Sequence, residues 1–174
     1  MAAGAGSVWV KTADGYVQRI DPATNTVVAT VPVAKIVDQG QIPVAFGQAW
    51  VLTGDGSTLV GIAEDAVVTE IDLGTRGTEL TASETAIWAA CPIDGVAVAV
   101  DPEHEAVSTR VDGLTDARQI SANGDAVWVG FRGAVARVDP ATGEVTGVVD
   151  ASSADGDIEA TAYDDNVLYR SRSD

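Results

Sequence analysis

One histidine and one cysteine stand among the 174 residues, so acid–base and thiol chemistry rest on His104 and Cys91. A nucleophile needs a base within hydrogen-bond reach, and two such residues leave little to assemble. His104 lies in Asp101-Pro102-Glu103-His104-Glu105, a turn-like phrase that makes it an exposed turn residue rather than an acid, base or ligand. Cys91 has no second cysteine to pair with and reads as a small buried thiol. Acidic stretches at Asp155-Gly156-Asp157-Ile158-Glu159 and Asp164-Asp165-Asn166 could gather oxygens around Ca²⁺ or Mg²⁺, yet neither has the EF-hand register, and both read as solvated turns. Arg132, flanked by glycines in Gly130-Phe131-Arg132-Gly133, is placed for an exposed edge that could hold an anion. Phosphate loops, dinucleotide fingerprints, HExxH, Cys-x-x-Cys and Gly-x-Ser-x-Gly are all absent. No cofactor and no metal site is therefore assigned, with Ca²⁺ or Mg²⁺ in acidic loops as the alternative.

Charge narrows the partners. Ten Lys and Arg against 26 Asp and Glu give a net charge of −16, which disfavours nucleic acid because phosphate neutralisation needs clustered cations. The acidic residues are scattered over turns and strand ends, as on a solvated surface. Apolar residues make up 46% of the chain and charged ones 21%, enough for one sizeable core. The longest apolar runs, such as 96–100, fall far below the roughly 18 residues that span a bilayer. Residues 1–6 show no basic and apolar leader, so the expected location is cytoplasmic, or a leader has been cut away.

The elements that position these residues recur. Apolar-aromatic-apolar triplets stand at Val8-Trp9-Val10, Ala49-Trp50-Val51, Ile87-Trp88-Ala89 and Val127-Trp128-Val129, with a fifth at Val167-Leu168-Tyr169. Their aromatic residues are 41, 38, 40 and 41 positions apart. A second anchor follows each Trp at Ile20-Asp21-Pro22, Ile62-Ala63-Glu64, Val100-Asp101-Pro102 and Val138-Asp139-Pro140, and a third closes each unit at Val31, Ile71, Val111 and Val149. In Asp-Pro-Ala-Thr-Asn/Gly, the Asp oxygen accepts turn N–H groups, Pro presets φ and Asn or Gly tolerates positive φ. Asp21, Asp101 and Asp139 thus mark hairpins between short, Val-rich strands.

A unit of this kind holds four strands, predicted in the third at 78–83, 86–90, 96–100 and 106–111. Short connections make them antiparallel. Strands apolar on both faces, such as 96–100 and 27–31, indicate sheets packed on both sides. Small twisted sheets stacked between two others make an all-β propeller, with each Trp as core between blades. One large sandwich is the alternative, disfavoured because its strands need not recur in fours. The blades are expected at 1–33, 41–74, 77–113 and 117–151, with half a blade at 157–174.

At these residues the chain resembles the bacterial propeller superfamily of YVTN/YncE-like, NHL-like and virginiamycin B lyase-like repeats. The likeness rests on Gly-Ser-Val-Trp-Val at 6–10, on residues 17–33 and on the matching phrase at 135–145; the second blade departs from it where Ala63-Glu64-Asp65 replaces the Asp-Pro turn. It implies that the innermost strand precedes the Trp strand, that the Asp-Pro turn joins the outer two, and that the setting is extracytoplasmic or the cell envelope. The lyases of the group imply a His, a Glu and a divalent cation near the ring axis; His104 falls in an outer turn instead. Quinone-dependent propellers are similar at 139–143, but Glu144-Val145-Thr146-Gly147 stands where their docking Trp would follow.

The expected function is a non-enzymatic ligand- or protein-binding scaffold, and the alternative is a metal-dependent lyase or hydrolase. Four blades and a half leave both ends of the arc open, so two copies are expected to pair into a ring of eight or nine blades, with a closed four-bladed ring as the fallback. Connections between blades are read as free of packing duty and hence as the place for a site. The longest, 34–41, carries Lys35, Asp38 and Gln39, and with Arg76 and Arg118 in the equivalent connections it forms the expected recognition surface.

Overall fold

Val, Ile, Thr and Trp in short runs, cut by Gly and Asp turns, leave no room for a helix, and the described residues contain none. The computed structural model describes residues 1–33, 35–37 and 40–150, together with the backbone of 158–164 and 167–172. The first blade holds β1 (Ala2–Gly4), β2 (Ser7–Lys11), β3 (Tyr16–Asp21) and β4 (Thr26–Pro32). The second holds β5 (Val44–Ala45), β6 (Gln48–Thr53), β7 (Thr58–Ala63) and β8 (Ala66–Asp72). The third is β9 (Glu79–Ala82), β10 (Ile87–Cys91), β11 (Val96–Asp101) and β12 (Ala106–Val111); the fourth is β13 (Gln119–Asn123), β14 (Ala126–Phe131), β15 (Ala134–Val138) and β16 (Val145–Asp150). Each is a four-stranded antiparallel sheet in sequential order, and β17 (Ile158–Asp164) pairs with β18 (Val167–Arg172) as half of a fifth. The chain is a partial β-propeller of four blades.

The outer hairpins share one construction. Asp21, Asp101 and Asp139 each accept, through Oδ1, the N–H two residues on, at 2.8 Å in all three. Asn25, Glu105 and Gly143 close these turns at positive φ. Just before each turn the third and outer strands slip register by a bulge, at Arg19/Ile20, Ala99/Val100 and Arg137/Val138. The second blade keeps the bulge at Gly61/Ile62 but turns in two residues, with Glu64 at φ 53° and Ala63 opposite Ala66. Without an Asp-Pro phrase this turn is shorter, and the sheet is still four-stranded.

Trp9, Trp50 and Trp88 each lie on one face of their sheet, and that face meets the opposite face of the following blade. Trp9 clusters with Ala49, Val51, Val60 and Ile62; Trp50 with Ile87, Ala89, Val98 and Val100; Trp88 with Val127, Val129, Ala136 and Val138. The indole N–H groups of Trp9 and Trp50 donate to Gly4 O and Ala45 O at the end of their own inner strands, so burial leaves them paired. The Val96–Asp101 strand is buried on both faces as expected, except for its last residue. The Thr26–Pro32 strand is not: Val27 and Val28 are exposed, because an outer strand lies at the rim, as Val68 and Val107 do in the next two blades. Among the described residues no apolar cluster joins the first blade to the fourth.

Truncating Trp50 or Trp88 removes a large side chain that is fully buried between blades. Trp50→Ala or Trp88→Ala should each cost about 3–5 kcal/mol in chemical denaturation, as large aromatic truncations in cores do. A loss below about 1 kcal/mol for both would contradict their place between blades.

Candidate functional site

Antiparallel order fixes which turns share an end of the sheets. Hairpins between the second and third strands lie at the same end as the connections that carry the chain to the next blade; the Asp-Pro hairpins lie at the other. Lys35, Arg76 and Arg118 therefore belong to one end, and so does Arg132. His104 belongs to the opposite end and to an outer turn.

The connections are not free of packing duty, contrary to the sequence-based expectation. Each of the three described connections is bonded to the hairpin of the blade it leaves and to that of the blade it enters. The first leaves through Val33 N–H to Gly15 O (2.9 Å) and enters through Gly54 N–H to Lys35 O (2.6 Å) and Val37 N–H to Leu52 O (2.9 Å). The second leaves through Leu73 N–H to Ser57 O and Gly77 N–H to Gly56 O; it enters through the buried Thr75 hydroxyl, which donates to Asp94 Oδ2. The third leaves through Leu114 N–H to Gly95 O and enters through Arg132 N–H to Thr115 O. A segment joining two sheets must satisfy its own backbone groups: hairpin carbonyls accept on the side being left, and the hairpin N–H groups of Gly54 and Arg132 donate to Lys35 O and Thr115 O on the side being entered.

The 34–41 connection is anchored further. Lys11 Nζ donates to Val37 O (3.1 Å) and Gly40 O (2.7 Å), and Gln41 N–H donates to Glu79 Oε1 (2.8 Å) at the start of the third blade. Ile36 and Val37 pack against the apolar core. Gly40 stands at φ 85°, and a Cβ there would meet Thr78 O at 2.6 Å, so the crossing passes at a distance only glycine allows. Burial raises the Glu79 carboxyl above its ordinary range, opposed by the Gln41 N–H and by the charge of Lys11.

Of the expected surface residues, Lys35 is exposed, Arg76 is ion-paired to Asp55 (2.8 Å) and Arg118 to Asp116 (2.8 Å). Asp38 and Gln39 lie outside the described residues, as do Asp155, Gly156, Asp157, Asp165 and Asn166 of the acidic stretches. The arginines are thus held in place by carboxylates of their own or a neighbouring loop. Lys11 and Glu79 were not singled out from the sequence. The repeat held a signal: Lys11 stands two residues after Trp9, where the other blades have Leu52, Ala90 and Gly130.

The titratable groups that could do chemistry are apart. His104 Nδ1 lies 2.7 Å from Asp101 Oδ2 in an open turn; this contact raises the imidazole and lowers the carboxyl. Cys91 is buried, and desolvation pushes its thiol up to about 11, which disfavours the thiolate. No group of three His, Cys, Asp or Glu close enough to hold a metal occurs among the described residues. At the opposite end, Phe46, Gln48, Glu84, Asp101, Pro102 and Glu103 line an open cleft of about 560 Å³ between the second and third blades.

Glu79 yields a signed pH test. A carboxyl raised in the folded state favours the protonated form there, so its contribution grows as pH falls towards the folded pKa and is lost as pH rises through it. Glu79→Gln keeps an acceptor for Gln41 and removes the titration. The stability of Glu79→Gln relative to wild type should therefore fall as pH is lowered through the raised folded pKa towards the ordinary carboxylate value of 4.5, measured by denaturation midpoints at each pH. A difference constant across that window would mean that Glu79 is as solvated in the fold as in the unfolded chain.

No protein-family model and no curated protein sequence matches the chain. Solved structures do match in shape. BamB from Moraxella catarrhalis superimposes with a TM-score of 0.77 at 19% identity, over 99% of this chain and 53% of that one. BBS1N in complex with ARL6DN gives 0.74 at 18% identity, over 95% and 58%. A catalytically inactive virginiamycin B lyase from Staphylococcus aureus with quinupristin gives 0.73 at 16% identity, over 94% and 65%. The chain spans about half the length of several such structures. These likenesses, with the four sequential sheets, show that the chain has the β-propeller fold.

Proposed function

We propose that this β-propeller segment is a non-enzymatic ligand- or protein-binding scaffold, and that its contact surface is the end formed by the connections between blades. The observation that carries this reading is the double anchoring of the three described connections. Side chains held on segments already bonded to two blades lose little freedom when they bind, so the contact energy is not spent on ordering the surface. Arg76 and Arg118 present guanidinium groups on such segments, and Lys35 with Asp38 and Gln39 belongs to the connection that reaches the third blade. An extracytoplasmic or cell-envelope setting is part of the same proposal and rests on the superfamily resemblance.

The alternative, a metal-dependent lyase or hydrolase, needs a base and a cation held together. What supports binding instead is the placement of His104 in an open outer turn with Asp101 and of Cys91 in the dry core.

Two measurements test the proposal. In thermal unfolding with Ca²⁺, Mg²⁺ or EDTA, the midpoint should stay unchanged. A cation at a hundredfold excess over its Kd stabilises by about 2.7 kcal/mol, which in a chain of this size is a rise of about 5–10 °C; a rise of that order would favour the lyase-type alternative. For a partner isolated on the wild-type chain, the double variant Arg76→Glu, Arg118→Glu should bind at least about tenfold more weakly, or about 1.4 kcal/mol. Unchanged affinity would remove these residues from the contact surface.

A further inference from the structure

The repeat builds one kind of cleft twice, at the end of the sheets that carries the Asp-Pro hairpins. The first lies between the first and second blades, encloses about 540 Å³ and is lined by Ala5, Trp9, Arg19, Gly47, Ala63 and Glu64. The second, of about 560 Å³, lies between the second and third blades and is lined from matching positions of the repeat. Phe46 stands where Ala5 does relative to the Trp, Thr85 where Gly47 does, and Asp101 and Pro102 where Ala63 and Glu64 do.

The first cleft holds a cation of the chain itself. Arg19 pairs with Trp9 across the sheet, so its side chain stands on the face that meets the second blade. From there Nε and Nη2 donate to Asp65 Oδ1, in the outer turn of that blade, at 3.1 and 2.6 Å. The second cleft has no such arm, because the residue opposite Trp50 is Gly61. Among the described blades only the second has glycine there; the others have Arg19, Ala99 and Arg137.

Two other substitutions within the repeat furnish the second cleft. Phe46 replaces Ala5 in a two-residue turn whose residues both have positive φ, and its ring is left 42% exposed. Gln48 replaces Ser7, and its amide lies over Gly61, where any Cβ would overlap Oε1. That oxygen is buried and has no donor among the described residues, a deficit that calls for a partner. On the facing wall, Asp101 is engaged by the Glu103 and His104 N–H groups and the His104 ring of its own turn. Glu84 and Glu103 are exposed, and neither is ion-paired among the described residues.

We infer that the cleft between the second and third blades binds an alkylguanidinium group from outside the chain, in the place that Arg19 fills in the first cleft. One planar cation meets all three features: its N–H fork suits the carboxylates, a further N–H suits Gln48 Oε1, and its face stacks on Phe46. An ammonium has neither the fork nor the flat face. The group is either an arginine side chain of another polypeptide or part of a small guanidino compound, and the cleft is of a size for both. This inference does not rest on the contact surface proposed above, which lies at the other end of the sheets.

Calorimetric titration of the 174-residue chain with N-butylguanidinium at low salt should show one site with a Kd on the order of 1 mM. N-butylurea, its neutral isostere, should bind at least about tenfold more weakly. Glu84→Gln with Glu103→Gln changes two exposed side chains, so the thermal midpoint should hold while butylguanidinium binding weakens at least about tenfold. Gln48→Ser with Gly61→Arg rebuilds the Ser7 and Arg19 pair of the first cleft in the second, and should abolish binding of the added cation. Should that variant unfold, the carboxylate variant and the urea comparison decide. A blocked Gly-Arg-Gly peptide separates the sources: binding at least as tight as butylguanidinium assigns the group to a polypeptide, and weaker binding to a small compound. No binding of butylguanidinium at tenfold the expected Kd would overturn the inference. So would equal binding of butylurea, or an affinity unchanged by the carboxylate variant.

Discussion

A small sheet that is apolar on both faces cannot end at water, and this constraint organises the molecule. Each blade has only four short strands, too few to curl over and bury its own faces. Burial comes from the neighbour instead, and the Trp gives the contact its direction: a large ring on one side, small and β-branched residues on the other. Ala49, Ala89 and Ala136 leave the room that the Trp of the preceding blade needs. The interior of the third blade, with Ala89, Ala90, Cys91, Ala97 and Ala99 fully buried, shows how close two blades come when both sides are small.

Stacking in this manner sets a demand on the chain between blades. After the outer strand the backbone must return to the innermost position of the next sheet, across polar groups left at the strand ends. The connections meet this by bonding to the hairpin on each side, so the same segments that complete the backbone also fix the spacing of the blades. Lys11 and Glu79 extend this to the longest connection, which touches three blades in succession.

Charge follows the same division. The core excludes it, and the acidic surplus lies on turns, where Asp side chains serve local geometry as much as solubility. Among the described residues five arginines pair with an aspartate, and the pair between Arg19 and Asp65 links the first two blades at the rim. Exposed pairs of this kind add little stability; their effect is to hold guanidinium groups in set directions on an otherwise negative surface.

The spacing of Trp9, Trp50, Trp88 and Trp128 and the phrases around Asp21, Asp101 and Asp139 determined the repeat, the strand order and the antiparallel pairing, because each depends on contacts within about 40 residues. The degenerate turn at Glu64 was legible too, since a hairpin is a local object. The direction of the Trp faces, the bulge common to all four blades and the exposure of Val27 and Val149 were not legible. A strand's pattern shows that a face is apolar, but not whether a neighbour exists to cover it. The candidate site divided in the same way. The basic residues of the connections could be named in advance, but their pairing with Asp55 and Asp116, and the clamp of Lys11 and Glu79 across three blades, arise only when segments distant in the chain are stacked. Local turn and strand chemistry is written residue by residue; the partner of a face or of a loop is decided by which blade comes to lie beside it.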